Sequence, residues 1–105
     1  MASVAPAVTP QAGANSIIVT GSTAVVAANG SINGGYITNP ASASDQGIAT
    51  VENLIIDPVQ TPTLAGHGTS TSLVPGQTFV LIPGTTLPTW ANAATSGHKF
   101  TVVVY

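Results

Sequence analysis

The sequence predicts an all-β domain: a small sandwich or jelly-roll-like barrel of about six to eight short strands, preceded by an extended N-terminal arm. Three observations carry that expectation. Short β-branched and aromatic runs are cut by Gly, Pro and Asn turn signals about every 8–12 residues, the spacing of all-β folds. Apolar residues make up 44% of the chain and charged residues 4%, the reverse of the composition that keeps a chain disordered. A length of 105 residues fits one domain with a modest core, and with no cysteine neither disulfides nor thiolate metal sites add to its stability.

Residues 1–14 read as the arm. Pro6 and Pro10 fix φ and bias their predecessors toward extended backbone, while Val4 and Val8 supply apolar anchors with no charge nearby. These four residues are candidate interface residues, and the domain proper is expected over 15–105. Ser16-Thr20 (SIIVT) and Thr23-Ala28 (TAVVAA) read as strands separated by Gly21-Ser22. Asn29-Gly30 suits a type I′ hairpin turn, since both central residues need positive φ. Asn29-Gly30-Ser31 also matches a glycosylation sequon and is read here as a turn. Tyr36-Thr38 resumes extended structure, and Asn39-Pro40 stops it.

Ala41-Gly47 (ASASDQG) reads as a small polar loop. Gly47-Asp57 (GIATVENLIID) has apolar residues at helical spacing, but its β-branched content and the following Pro58 favour a strand. Gln60-Ser72 is expected to be loop. Gln77-Ile82 (QTFVLI), bracketed by Pro-Gly at each end, reads as a buried strand, with Phe79 in the core. Leu87-Gly97 reads as a loop holding Trp90. His98-Tyr105 closes the fold, with Phe100, Val102 and Val104 on one face of a strand.

The charge inventory narrows the function. One basic residue, Lys99, removes the electrostatic basis for nucleic-acid binding and for docking on an anionic membrane. No apolar run approaches the ~20 residues of a spanning helix. Nor does the N-terminus carry a Sec-type signal, so the chain is expected to act where it is made. The acidic residues are Asp45, Glu52 and Asp57. On one strand Glu52 and Asp57 would point to opposite faces, so they are expected to be solvated carboxylates or turn caps rather than a catalytic pair. No nucleophile elbow is present, and Gly66-His67-Gly68 is too short for an oxyanion motif. His67 and His98 do not make a metal site within one subunit. His98 is expected to start a strand with its ring bonded to backbone. No catalytic residue, cofactor or small-molecule substrate is therefore expected.

Tyr36 and Trp90 complete the candidate interface. Trp supplies large area at interface centres, and Trp90 sits in a Thr/Pro/Asn/Ala segment where plugging the end of its own barrel is the alternative role. An exterior this poor in charge is weakly protected against association, so most of the surface is expected to be covered by neighbours.

The stretch from Asn33 to Tyr105 resembles small virion structural proteins of tailed bacteriophages, of the capsid decoration (cement) type. The similarity rests on Gly34-Ala43 (GGYITNPASA), Glu52-Pro58 (ENLIIDP), the Pro-Gly-bracketed strand of Pro75-Gly84, and Asn92-Phe100 (NAATSGHKF). It implies a homotrimer on the outer surface of the head, made in the host cytoplasm, that bridges neighbouring subunits of the major capsid protein. A head-fibre or tail component is the alternative address. A carbohydrate-binding sandwich that stacks sugars on Tyr36 and Trp90 is the alternative from another class.

Overall fold

The computed structural model describes residues 13–19, 23–26, 33–84 and 86–105, with side chains given from Val25 onward within these ranges. Among the described residues eight strands run in chain order: β1 (Gly13–Val19), β2 (Thr23–Val26), β3 (Gly35–Thr38), β4 (Leu54–Asp57), β5 (Thr71–Leu73), β6 (Thr78–Leu81), β7 (Thr89–Asn92) and β8 (His98–Val104). One helical turn, α1 (Ala43–Gln46), lies between β3 and β4.

The strands form two four-stranded sheets, β1-β8-β3-β6 (sheet A) and β2-β7-β4-β5 (sheet B). Every pairing is antiparallel. The order has a simple logic. The first four strands pair with the last four in reverse sequence, β1 with β8, β2 with β7, β3 with β6 and β4 with β5. One long antiparallel strip is thus rolled until β8 meets β3 and β7 meets β4. This is the jelly roll, a sandwich built of two Greek keys. The all-β expectation holds.

The core lies between the layers. Phe100, Val102 and Val104 of β8 face it together, as the alternation predicts, with Ile37, Leu54, Ile56, Leu73, Leu81 and Ala91. Phe79 is partly buried and packs against the cluster's edge. Val25 and Val26 are both fully buried although they are neighbours on β2. The register with β7 shifts between Ala24 and Val26, and such an irregularity turns consecutive side chains to one side. Gly35 is required where β3 meets β8: its φ is +155°, and a Cβ there would lie 2.8 Å from Val104 Cα and closer still to the Val103 carbonyl oxygen.

Several boundaries differ from the sequence reading. β1 starts at Gly13, so Gly13 and Ala14 belong to the sheet, while residues 1–12, with Val4, Pro6, Val8 and Pro10, lie outside the described residues. Asn29-Gly30 also lies outside them, and β2 and β3, the strands on either side, fall in different sheets rather than in one hairpin. The polar stretch 41–47 contains α1, capped by the Ser42 hydroxyl, which accepts from the Asp45 N–H at 3.1 Å. Asp, Ser and Asn compete with the backbone in loops and cap helices equally well, so composition alone did not separate the two. Of 47–57 only Leu54–Asp57 is strand, and Thr71–Leu73, at the end of the expected loop, is strand β5.

The two largest corrections concern β6 and β7. Gln77-Ile82 was expected to be buried, yet β6 is the outermost strand of sheet A, with Thr78 and Val80 exposed. A continuous apolar run does not say whether both faces are covered. Trp90 sits in the middle of β7 instead of a loop, with Thr89 and Ala91 turned to the core and Trp90 and Asn92 half-buried on the outer face of sheet B. Thr and Trp favour strands, but the preceding Pro88 and the closing Asn92 hide so short a run.

Candidate binding surfaces

At one end of the sandwich a polar network closes the gap between the sheets. Asn39 follows β3, Gln46 ends α1, Glu52 precedes β4 and His98 opens β8. The Asn39 side-chain amide donates to the carbonyls of Glu52 (3.0 Å) and Leu73 (2.9 Å). With both amide hydrogens committed, Asn39 Oδ1 is the acceptor, taking Gln46 Nε2 at 3.0 Å and His98 Nε2 at 2.8 Å. Nε2 of His98 therefore carries a hydrogen. Its Nδ1 lies 3.0 Å from Glu52 Oε2. Thr95 donates to the same carboxylate from its backbone N–H (2.9 Å) and its hydroxyl (2.6 Å), and the Glu52 N–H donates to Gln46 Oε1 at 3.0 Å.

Burial alone would raise the Glu52 pKa. The Thr95 and His98 hydrogen bonds outweigh it and hold the carboxyl below its ordinary range. Asn39, Gln46 and His98 are each 0% exposed. The imidazole thus has both nitrogens engaged and no face toward solvent. What this arrangement does is tie four segments together; the expectation that His98 bonds to backbone is corrected to side-chain partners.

At the opposite end, Asp57 is fully buried and organises the β4–β5 connection. Its Oδ1 accepts from the N–H groups of Val59 (2.9 Å) and Gln60 (3.1 Å). The Thr69 hydroxyl reaches both oxygens (3.0 and 2.9 Å), and the Ser70 hydroxyl reaches Oδ2 at 2.8 Å. Burial again pushes the pKa up, and these donors more than reverse it, leaving the carboxyl below its usual range. Asp57 is a turn cap, as expected, but a buried one. The same connection is held to sheet B by Asn92, whose amide donates to the Pro62 carbonyl at 3.0 Å. His67 stands exposed within it.

Among the described residues no cluster of three or more His, Asp or Glu side chains could hold a metal ion, and no helix is long and apolar enough to cross a membrane. Tyr36 and Trp90 do not come together. Tyr36 lies on the outer face of sheet A, cross-strand from Val80 and Val103; Trp90 lies on the outer face of sheet B, cross-strand from Asp57 and Ala24.

Tyr36 instead lines a groove of about 260 Å³ with Asn33, Thr78, Val80, Pro83 and Tyr105. No charged residue borders it. Val80 and Tyr105 are each 68% exposed, and Ile82, at the end of β6, is 72% exposed. Sequence reasoning found Tyr36 here and missed its companions. A continuous apolar run hides the exposure of Val80, which follows from the edge position of β6, and Tyr105 is exposed just past the end of β8.

Comparison of the chain with protein-family models, curated proteins and solved structures finds no match.

Proposed function

We propose that the chain is a structural virion protein that decorates and stabilises the head of a tailed bacteriophage, as a trimer bridging neighbouring major capsid protein subunits. One observation carries this reading: the exterior is nearly without charge. Of the charged side chains, Asp57 is buried and Glu52 has a side-chain exposure of 16%, which leaves Asp45 and Lys99 on the surface. A free domain of this size normally relies on mixed surface charge to resist association. An exterior of Thr, Ser, Asn, Val and Tyr suits a protein whose faces are covered by other protein, where neutral side chains and backbone groups form the hydrogen bonds.

Further support comes from the fold and from the resemblance over Asn33 to Tyr105. Jelly rolls occur in viral capsid and lectin domains, an analogy of fold that does not by itself assign function. The mechanism is added buried area across the seams between capsomers, which opposes the outward pressure of packaged DNA, with residues 1–12 as one tether. No cofactor, nucleic acid or small-molecule substrate enters it. The reading places the protein on the outer surface of the head; electron micrographs of labelled particles separate that address from a fibre or tail. The carbohydrate alternative loses its shared platform, because Tyr36 and Trp90 stand on different sheets.

The test is co-sedimentation with purified heads, emptied and full, of the phage that encodes the chain. The full chain is expected to pellet with both, and a chain starting at Gly13 to fold while losing most of its occupancy. Absence of full-length protein from the pellet overturns the proposal.

A further inference from the structure

The groove on sheet A opens at the end of the sheet where the N-terminal arm begins. Gly13 stands opposite Val104, Val104 opposite Gly35, and Gly35 opposite Leu81, so the first residue of β1 is level with the rim of the groove. We propose that in the free protein this groove seats the chain's own residues 1–12, with Val4 and Val8 as the apolar anchors. The inference goes beyond the virion reading, since it concerns the protein away from any shell.

Reach and chemistry both fit. Adjacent strands lie ~4.8 Å apart, which puts β3 about 10 Å and β6 about 14 Å from β1. Extended chain covers ~3.3 Å per residue, so residues 9–12 make the crossing and bring Val8 to Tyr36 and Val80. The stretch from Val4 to Val8 then has about 13 Å to lie along the groove. Neither the arm nor the lining carries a charged side chain. Pro6 and Pro10 favour a polyproline-type conformation, the form that aromatic-lined grooves accept, and Tyr36 and Tyr105 supply the aromatic walls.

There is also a reason for such a cover. Among the described residues β6 is an edge strand without charge, proline or register shift, a template for pairing with a further segment. A tethered segment meets the groove at an effective concentration on the order of millimolar, well above that of other copies in a dilute solution.

The cysteine-free chain makes the test clean. A Val8→Cys, Val80→Cys double variant is oxidised mildly and run on a non-reducing gel, beside an equimolar mixture of the two single variants. A Val8→Cys, Val51→Cys pair serves as control, because Val51 is exposed next to Glu52, at the other end of the sandwich. The expected result is a disulfide within one chain for the first pair, none for the control, and no cross-link in the mixture. Cross-linking only between chains assigns the groove to a second copy and overturns the proposal. If no disulfide forms, a synthetic peptide of residues 1–12 decides, added to protein starting at Gly13 while the Tyr36 and Tyr105 ring signals are followed by NMR. Shifts that Tyr36→Ala weakens at least tenfold in apparent affinity support the seat, and unmoved signals overturn it. No shell is present in either experiment, so this proposal and the virion reading fail separately.

Discussion

Asp57 holds a carboxylate where water does not reach, and five donor contacts from four residues take the place of solvent. Replacing it with Asn turns one acceptor oxygen into a donor facing two hydroxyls. The expected cost is about 1–3 kcal/mol, read in thermal unfolding as about 4–8 °C of Tm per kcal/mol. Asn39→Ala takes the side-chain partner from the Leu73 carbonyl and from Nε2 of the buried His98, while the Gln46 amide keeps the Pro40 and Glu52 carbonyls, and is expected to cost about 3 kcal/mol in urea unfolding. Acid should act on the same groups. Both Glu52 and Asp57 have folded-state pKa values below their ordinary ones. Their contribution is therefore complete above the unfolded values, roughly pH 4, and is lost as pH falls through the lower folded ones. Melts recorded from pH 7 to pH 2 should show Tm dropping below about pH 4, with a shallower drop in Asp57→Asn. None of these residues was legible as a network in the sequence. Asn39 sat in a strand-stopping Asn-Pro and Gln46 in a polar loop, and nothing local says that residues 59 positions apart, Asn39 and His98, share a hydrogen bond.

Elements followed the sequence where one face alone is buried. β3 alternates throughout and β8 alternates from His98 to Val102, after which Val103 is buried as well, and the apolar face of Phe100, Val102 and Val104 is readable in the sequence. Reading failed where an outer face is itself covered or where a strand lies at an edge. Trp90 is half-buried on a strand only four residues long, and β6 looks buried by composition while lying outermost. The Pro-Gly turns were read correctly: Val74-Gln77 closes with the Gln77 N–H donating to the Val74 carbonyl at 3.0 Å, and Gly76 has φ +88°, which a type II turn asks of its third residue. Gly35 marks a close approach of β3 to β8. Gly35→Ala is expected to separate β3 from β8 locally and to abolish cooperative unfolding, whereas Gly84→Ala, which meets nothing within 4 Å and strains only the backbone, should leave a folded protein weakened by about 1 kcal/mol. Circular dichroism melts of the two variants distinguish these outcomes.

For the whole molecule, the low charge of the composition understates the case, because folding buries Asp57 and leaves the Glu52 side chain 16% exposed. What remains outside is Asp45 and Lys99 amid uncharged side chains, with an apolar groove beside β6, the outermost strand of its sheet among the described residues. Such a surface is stable in two ways, covered by its own chain or covered by other chains, and the arm and the shell are the two covers proposed here. The most direct measurement is mass in solution by analytical ultracentrifugation across a wide concentration range, followed by mixing with emptied and full heads. A trimer that then leaves solution onto the particles is the predicted result. A compact monomer that stays dispersed at high concentration and ignores the heads would contradict it.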